Sequence, residues 1–510
     1  MKPRLCRSLP FVVVFVVATA VASFGQPPAP GAAAPDQQLL TGVHSISSHT
    51  LMDYVKEMAS PKYKGRLTGT PEYEASAEWV AGLLAGWGVK PAGDKGTWRQ
   101  TFPNPYTLVL PGAELVLHVP AGTGGTIKRP YVLEEEYFPG STSDSGTITA
   151  EVVYVGYGIT APELNYDDYA GVDVKGKIVL MEPESPVMPN DKDAETFKKW
   201  RPYSFHDYKI RNAVKHGAAG VVYNYLLANP NAVWIKGFGF TSVGRTVVED
   251  VFAGTGKNHD TLVKGIRSSL QPTSFATGRT ITMKNVTEHH PEGVGSNVVG
   301  WLEGSDPALK SEAIVIGAHL DHLGLNPLLM PGAHDNASAV AVMLGVAEAL
   351  AAAKIPLKRS IVFIAFGAEE QGVKGSEYYV AHPFIPNAKT VAMFNLESVG
   401  RGVSINAGSG RNFPQLWEVI DRLNQKYIHR VVNASANANL ARPRQDAAHF
   451  LWAGVPTVSF GTGGAKPLPY ATYHTSKDDV DIITPEIMED LAQLVFLVTV
   501  ELANKNGSGL

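Results

Sequence analysis

Five short segments of the chain carry side chains of the kinds that bind metal ions or move protons. His319-Leu320-Asp321 closes the apolar run Ile314-Val315-Ile316-Gly317-Ala318, whose period of two sets His319 and Asp321 on one face at the C-terminal end of a strand. A neutral imidazole there can bind a metal, and a carboxylate two residues on can hold its other nitrogen. Asp335-Asn336 follows Pro331-Gly332-Ala333-His334 and precedes a helix from Ala337, a position where aspartate is also an ordinary cap. The run Ile361-Val362-Phe363-Ile364-Ala365-Phe366 leads into Gly367-Ala368-Glu369-Glu370, an adjacent carboxylate pair that is costly unless a cation compensates it. Met393-Phe394-Asn395-Leu396 delivers Glu397, and Tyr473-His474-Thr475-Ser476 lies beyond a Gly-rich loop.

These segments are spaced by alternating strand and helix patterns. Strands are predicted at 314–316, 360–366, 389–396 and 457–460, with helices at 337–352, 376–382, 414–426 and 485–504. Such alternation implies an α/β fold, a mixed and mostly parallel sheet sandwiched by helices, with its site at the C-terminal strand edge. Oxygen and imidazole ligands would then converge from five loops on one edge of one sheet. Upstream, residues 51–87 read as two helices flanking the turn Gly65-Arg66-Leu67-Thr68-Gly69-Thr70, and 107–157 as strand-rich. A block from about 140 to 275 reads as a β-rich unit of its own, with strands at 152–155, 177–181 and 220–223, a helix at 209–216 and no cluster of ligand-type residues.

Composition bounds the partners. A 510-residue chain with 44% hydrophobic and 18% charged residues has the makings of a large core and excludes a disordered or collagen-like protein. Its net charge of -4 argues against nucleic acid. Lys2, Arg4 and Arg7 precede an apolar run at 9–21 that ends in small residues, the layout of a secretory signal peptide over 1–25. That run is shorter than the roughly 20 residues that cross a bilayer, so no stable membrane anchor is expected. The one cysteine, Cys6, falls in this leader, which removes disulfides, thiol nucleophiles and Cys-ligated zinc from the mature chain. A Pro/Ala-rich linker is expected over 26–45.

Three lookalikes drop out. Gly156-x-Gly158-x-x-Ala161 imitates a dinucleotide fingerprint, but Pro162 and turn residues follow instead of a helix. Gly171-x-x-x-x-Gly176-Lys177 imitates a phosphate loop, yet Ile178 stands where Ser or Thr must be, so a hairpin turn is expected. Neither Gly-x-Ser-x-Gly nor His-Glu-x-x-His occurs.

Taken in order, His319-x-Asp321, Gly332-Ala333-x-Asp335-Asn336-Ala337-Ser338, Gly367-x-Glu369-Glu370, Asn395-Leu396-Glu397-x-x-Gly400 and Tyr473-His474-Thr475 resemble the signature of the dinuclear-zinc M28 family of exopeptidases. The resemblance spans about 50–130 and 290–505. Between them, Tyr166-Asp167-Asp168-Tyr169, Lys175-Gly176-Lys177-Ile178-Val179 and His216-Gly217-Ala218-Ala219-Gly220 resemble the protease-associated (PA) domain often inserted in that family. The implied layout is a peptidase domain in two parts, 46–139 and 285–510, around a PA domain at 140–280.

The resemblance also implies roles. His319 and Glu397 would hold one zinc, Glu370 and His474 the other, and Asp335 would bridge both, with a cis peptide to Asn336. Glu369 would be the general base for the metal-bridging water, and Asp321 would orient His319. Position 397 is Glu where the family more often has Asp, Ala339 replaces a frequent Gly, and Gln445-Asp446-Ala447-Ala448-His449-Phe450 has Ala447 where His is common. The expected activity is that of an exported zinc aminopeptidase acting on peptide or protein N-termini. A carboxypeptidase, a single-zinc glutaminyl cyclase and a noncatalytic receptor-like module are the alternatives. Among other residues, His322 reads as solvated, His334 as a loop histidine beside the bridging Asp, His289-His290 as an exposed linker pair, and Tyr470 and Tyr473 as flanking a pocket loop.

Overall fold

Near-continuous apolar runs buried on both faces form the centre of the protein, as parallel strands covered by helices require. The computed structural model describes residues 34–122, 124–188, 194–229, 233–436, 444–464 and 471–507. The leader, Cys6 and Tyr470 lie outside these residues. A nine-stranded sheet runs in the order Lys90–Pro91, Val294–Leu302, Ser360–Phe366, Ala313–His319, Thr390–Leu396, Thr457–Gly463, Ser404–Gly408 and Val431–Ala434, with Arg99–Pro103 also paired to Val294–Leu302. The four strands from Ser360–Phe366 to Thr457–Gly463 are mutually parallel, and antiparallel pairings flank them.

Alternation sorts the side chains of these strands between two cores. Ile314, Ile316, Ile361, Phe363 and Ala365 face the helices Ser338–Ala353, Pro71–Gly86 and Pro485–Asn504. Val315, Val362, Ile364 and Phe366 face Tyr379 and Phe450 on the helices Lys374–Ala381 and Ala447–Trp452. The stretch Ala333–Ala353 is long and apolar enough to cross a bilayer, but it is packed inside this core. Register brings His319 level with Phe366, and Leu396 level with both Ala318 and Phe460, so the C-terminal ends of four strands finish on one line.

A second, eight-stranded sheet has the order Thr126–Pro130, Glu114–Pro120, Phe275–Asn285, Gly146–Tyr154, Ile178–Met181, Gly220–Tyr223, Gly239–Val243 and Tyr137–Pro139. The strand Ile178–Met181 is parallel to both its neighbours, so the turn before it is no hairpin. This sheet also takes in three strands from 114 to 139, a stretch expected in the peptidase part: Glu114–Pro120 and Tyr137–Pro139 pair with strands beyond position 140, and Thr126–Pro130 pairs with Glu114–Pro120.

Three further expectations are corrected. The second half of the linker is the helix Ala34–Ser45, which lays Leu39 and Val43 against the main core. His289 and His290 belong to the strand Thr287–His290, where His289 stacks on Trp234 and bonds Thr107, and His290 stacks on Tyr106. The inserted block does assemble an ionisable cluster, with Asp168, Glu182 and Lys209 buried and His259 half-buried, from residues too far apart in sequence to read as a motif.

Candidate metal centre

All five expected ligands meet at the aligned strand ends. His319 is the last residue of its strand, and Glu397 immediately follows another. His319 Nε2 lies 3.3 Å from Asp335 Oδ1 and 3.3 Å from Glu397 Oε1. His474 Nε2 lies 3.4 Å from Asp335 Oδ2 and 3.1 Å from Glu370 Oε2. Asp335 thus turns one oxygen to each histidine. The longer arm of Glu397 still reaches His319.

The donor set fits a pair of metal ions. Asp335 Oδ1, Glu397 Oε2 and His474 Nε2 are buried without a hydrogen-bond partner, a costly condition that a cation relieves. Ligands about 2.1 Å from a tetrahedral zinc stand about 3.4 Å from one another, and the four nitrogen–oxygen spacings match that edge. His319, Asp335 and Glu397 form one compact group. A second comprises Asp335 and Glu370 with His322, whose Nδ1 is 2.9 Å from Glu370 Oε1. His322 is fully buried and not the solvated residue the sequence suggested.

Charge is concentrated here. Burial opposes a charged His319, yet the Glu397 and Glu369 carboxylates hold its pKa well above the ordinary value. Burial likewise works against His474, but Glu370 and Asp335 raise it to about 10. Asp335 goes the other way: despite burial, the two histidines keep its carboxyl well below the usual range. Glu369 is 9% exposed at the wall of the cleft. Burial, with Glu397 and Glu370 nearby, outweighs His319 and keeps its carboxyl well above the usual range, in the direction a proton-accepting group requires.

Asp321 works differently from expectation. His319 Nδ1 is 3.1 Å from the Asp321 main-chain oxygen and 3.7 Å from its carboxylate. The two carboxylate oxygens instead accept the amides of Glu369 and Glu370, both at 3.2 Å. Burial raises this carboxyl to about 7. Asp321 therefore ties the His319 loop to the carboxylate pair.

Several braces had no motif to announce them. Arg66, fully buried, donates to the carbonyls of Met58, Leu320, Pro331 and Gly332 at 2.6 to 2.9 Å, joining both loops that flank the ligands. Thr68 accepts the Ala368 amide at 2.7 Å. Asp478 accepts the amides of His334 and Asp335 at 2.8 and 3.0 Å. Asn336 donates to the Leu396 carbonyl and accepts the Ser398 amide, fixing the Glu397 loop, and the Asp335–Asn336 peptide is cis. His334 is buried and accepts the Gly400 amide.

The centre opens into a cleft of about 860 Å³. Glu369, Glu370, Glu397, His474, Gln445 and Tyr473 line it, and Tyr473 stacks on the His474 ring. Phe205, Tyr208, Tyr225 and Leu227 of the second sheet's unit also line it. The Gln445 segment and Tyr473 thus border the pocket, as the sequence suggested.

Residues 297–499 match the model of Peptidase family M28, and residues 148–238 match the PA domain. An aminopeptidase of Pseudomonas aeruginosa is 26% identical over 427 residues, covering 80% of this chain and 69% of that protein. Aminopeptidase YwaD of Bacillus subtilis is 28% identical over 202 residues, covering 38% of this chain and 42% of that one. The fold is shared with an aminopeptidase from Aneurinibacillus sp. strain AM-1 (TM-score 0.63, 22% identity, 92% of this chain and 97% of that chain). It is also shared with a zinc aminopeptidase from Bacillus subtilis (TM-score 0.62, 20% identity, 91% and 97%).

Proposed function

For a chain that is an M28 family metallopeptidase with a PA domain inserted in it, we propose the activity of an exported aminopeptidase that uses two zinc ions and Glu369 as its general base. The observation that carries this reading is the pairing of one aspartate, Asp335, with two separate histidine–glutamate sets, next to a buried glutamate that contacts neither histidine at bonding distance. Export rests on the leader pattern of residues 1–25.

His319, Asp335 and Glu397 would hold one ion, and Asp335, Glu370 and His474 the other. Bound there, the metal pair supplies Lewis acidity and positive charge against the negative charge that develops on a peptide carbonyl under attack. The remaining work falls to the chain. Glu369 takes a proton from the attacking water and returns it to the departing amine, a role suited to its raised affinity for protons. Asp321 fixes the main chain of Glu369 and Glu370 so that base and ligand cannot exchange places. The cleft walls hold the peptide beside them and limit the access of bulk water.

The substrate end is tested with one peptide in three forms, free, amino-acetylated and carboxy-amidated, incubated with the zinc-loaded protein and followed by mass. Stepwise loss from the amino end that acetylation blocks is the expected result. Cleavage that tolerates acetylation but stops on amidation would make the same centre a carboxypeptidase.

A further inference from the structure

The two histidines of the centre are held in unlike ways. His319 Nδ1 meets a carbonyl two residues further along its own chain segment. His474 Nδ1 lies 2.8 Å from the carbonyl oxygen of Ala228, 246 residues away in the inserted unit. A carbonyl only accepts, so Nδ1 of His474 carries the hydrogen, and in the neutral ring Nε2 presents its lone pair to Asp335 and Glu370. Choice of nitrogen at this position is therefore made by the inserted unit.

Further contacts make this a built junction. Ala228 is 1% exposed, packed with Phe138 of the second sheet against Leu323 and Met330, which belong to the loop between His319 and Asp335. Two residues past His474, the Ser476 amide and hydroxyl donate to the two oxygens of Glu134 at 2.6 and 2.9 Å. Glu134 sits between Thr126–Pro130 and Tyr137–Pro139, both strands of the inserted unit's sheet. His474 itself has a left-handed backbone (φ 55°), uncommon for a residue with a side chain, so its loop needs holding from outside.

We propose that the inserted unit is a positioning part of the metal centre: the Ala228 carbonyl and the Glu134 carboxylate fix the His474 ring and its loop so that Nε2 points at Asp335 and Glu370. The inference rests on the reading of His474 as a ligand. Without the junction the peptidase sheet keeps four of the five ligands in place and loses control of the fifth.

Zinc affinity provides the test, measured by competition with a chromophoric chelator for wild type, Glu134→Ala, Glu134→Gln, Phe138→Ala and His474→Ala, together with the unfolding temperature of each with and without zinc. Groups that orient a metal ligand change affinity by about 10- to 100-fold. The expected result is a loss of that size for one of two zinc ions in Glu134→Ala and Phe138→Ala, with Glu134→Gln, which keeps one acceptor oxygen, in between. The rise in unfolding temperature on adding zinc should shrink in the same order. Zinc competition identical to wild type in Glu134→Ala and Phe138→Ala, with unfolding temperatures lowered equally in both metal states, would overturn the proposal and leave the junction a domain contact. Retention of two zinc ions by His474→Ala would instead remove His474 from the ligand set, a different failure.

Discussion

Among the described residues, each sheet's unit gathers a cluster of ionisable side chains, and the two clusters are finished differently. In the inserted unit, Asp168 accepts the amides of Tyr157 and Ile159 and the hydroxyl of Tyr166. Lys209 donates to the carbonyls of Glu182 and Glu184, and the two oxygens of Glu182 take His259 and Asn224. Each carboxylate oxygen of Asp168 and Glu182 thus has its partner. In the peptidase unit, Asp335, Glu397, His322 and His474 each keep a buried polar atom without one. Burial alone does not mark a site, since Asp168 and Lys209 are as deeply buried as His319 and Asp335. What differs is the unmet hydrogen-bonding capacity on ligand-type atoms: in the peptidase unit it gathers on the carboxylates and imidazoles that face one another, where a bound cation would relieve it.

Metal removal is the strongest way to break this contrast. Dialysis against a chelator should abolish peptidase activity and lower the unfolding temperature, with both restored by zinc, since an ion bound only by the folded state at 1,000 times its Kd stabilises by about 4 kcal/mol. An unfolding temperature indifferent to chelation would mean that the open polar atoms are not a metal site.

Next in size, Glu369→Ala should cost about 100-fold or more in kcat while zinc content, measured by elemental analysis, stays at the wild-type value. A loss within tenfold would sink the general-base assignment. Arg66→Met leaves four buried carbonyls short of a donor, and about 3 kcal/mol of stability should go with them, read by denaturant unfolding of the zinc-free protein. If that variant unfolds like wild type, the brace between the ligand loops is an accident of packing.

The smallest effect sharpens the other side of the comparison. Burial lowers Lys209 to about 7, against the counter-pull of Asp168 and Glu182. Between that value and the ordinary lysine range the unfolded chain holds more protons than the folded one, so stability rises with pH there. Below it the cost of burying the charge is fully present. Lys209→Met removes this titration, so the stability of wild type relative to the variant should increase from pH 7 to pH 9.5, with zinc content the same in both. Parallel curves would show that Lys209 is charged at both values.

What the sequence disclosed follows from the reach of its patterns. The apolar strand runs and the ionisable residues that end them are local, so the main sheet and the residues gathered at its edge were readable. Asp478 acts on the amides of His334 and Asp335 from 143 or more positions away, through contacts with no residue-type signature. Arg66 sits in a Gly-bounded turn and binds only carbonyls, which every residue possesses. His322 gave no periodic cue because it lies past the strand end, in a loop that folds inward. The start of the inserted unit was misplaced for a related reason. Short β-branched runs from 107 to 157 do not say which sheet they will join, and partners such as Phe275–Asn285 settle that from far downstream.

The Arg66 brace has a consequence for the order of assembly. Three of its four acceptors lie 254 to 266 residues further along the chain, with the whole second sheet synthesised in between. The guanidinium emerges long before anything it will hold, and contacts of such separation form slowly. Until both ends of the peptidase unit have met, the loop that runs from His319 to Asp335 lacks this brace. Activity is thus conditional on the completed fold, and a chain bearing every ligand motif but not its first hundred residues would be a metal-binding sequence without a centre.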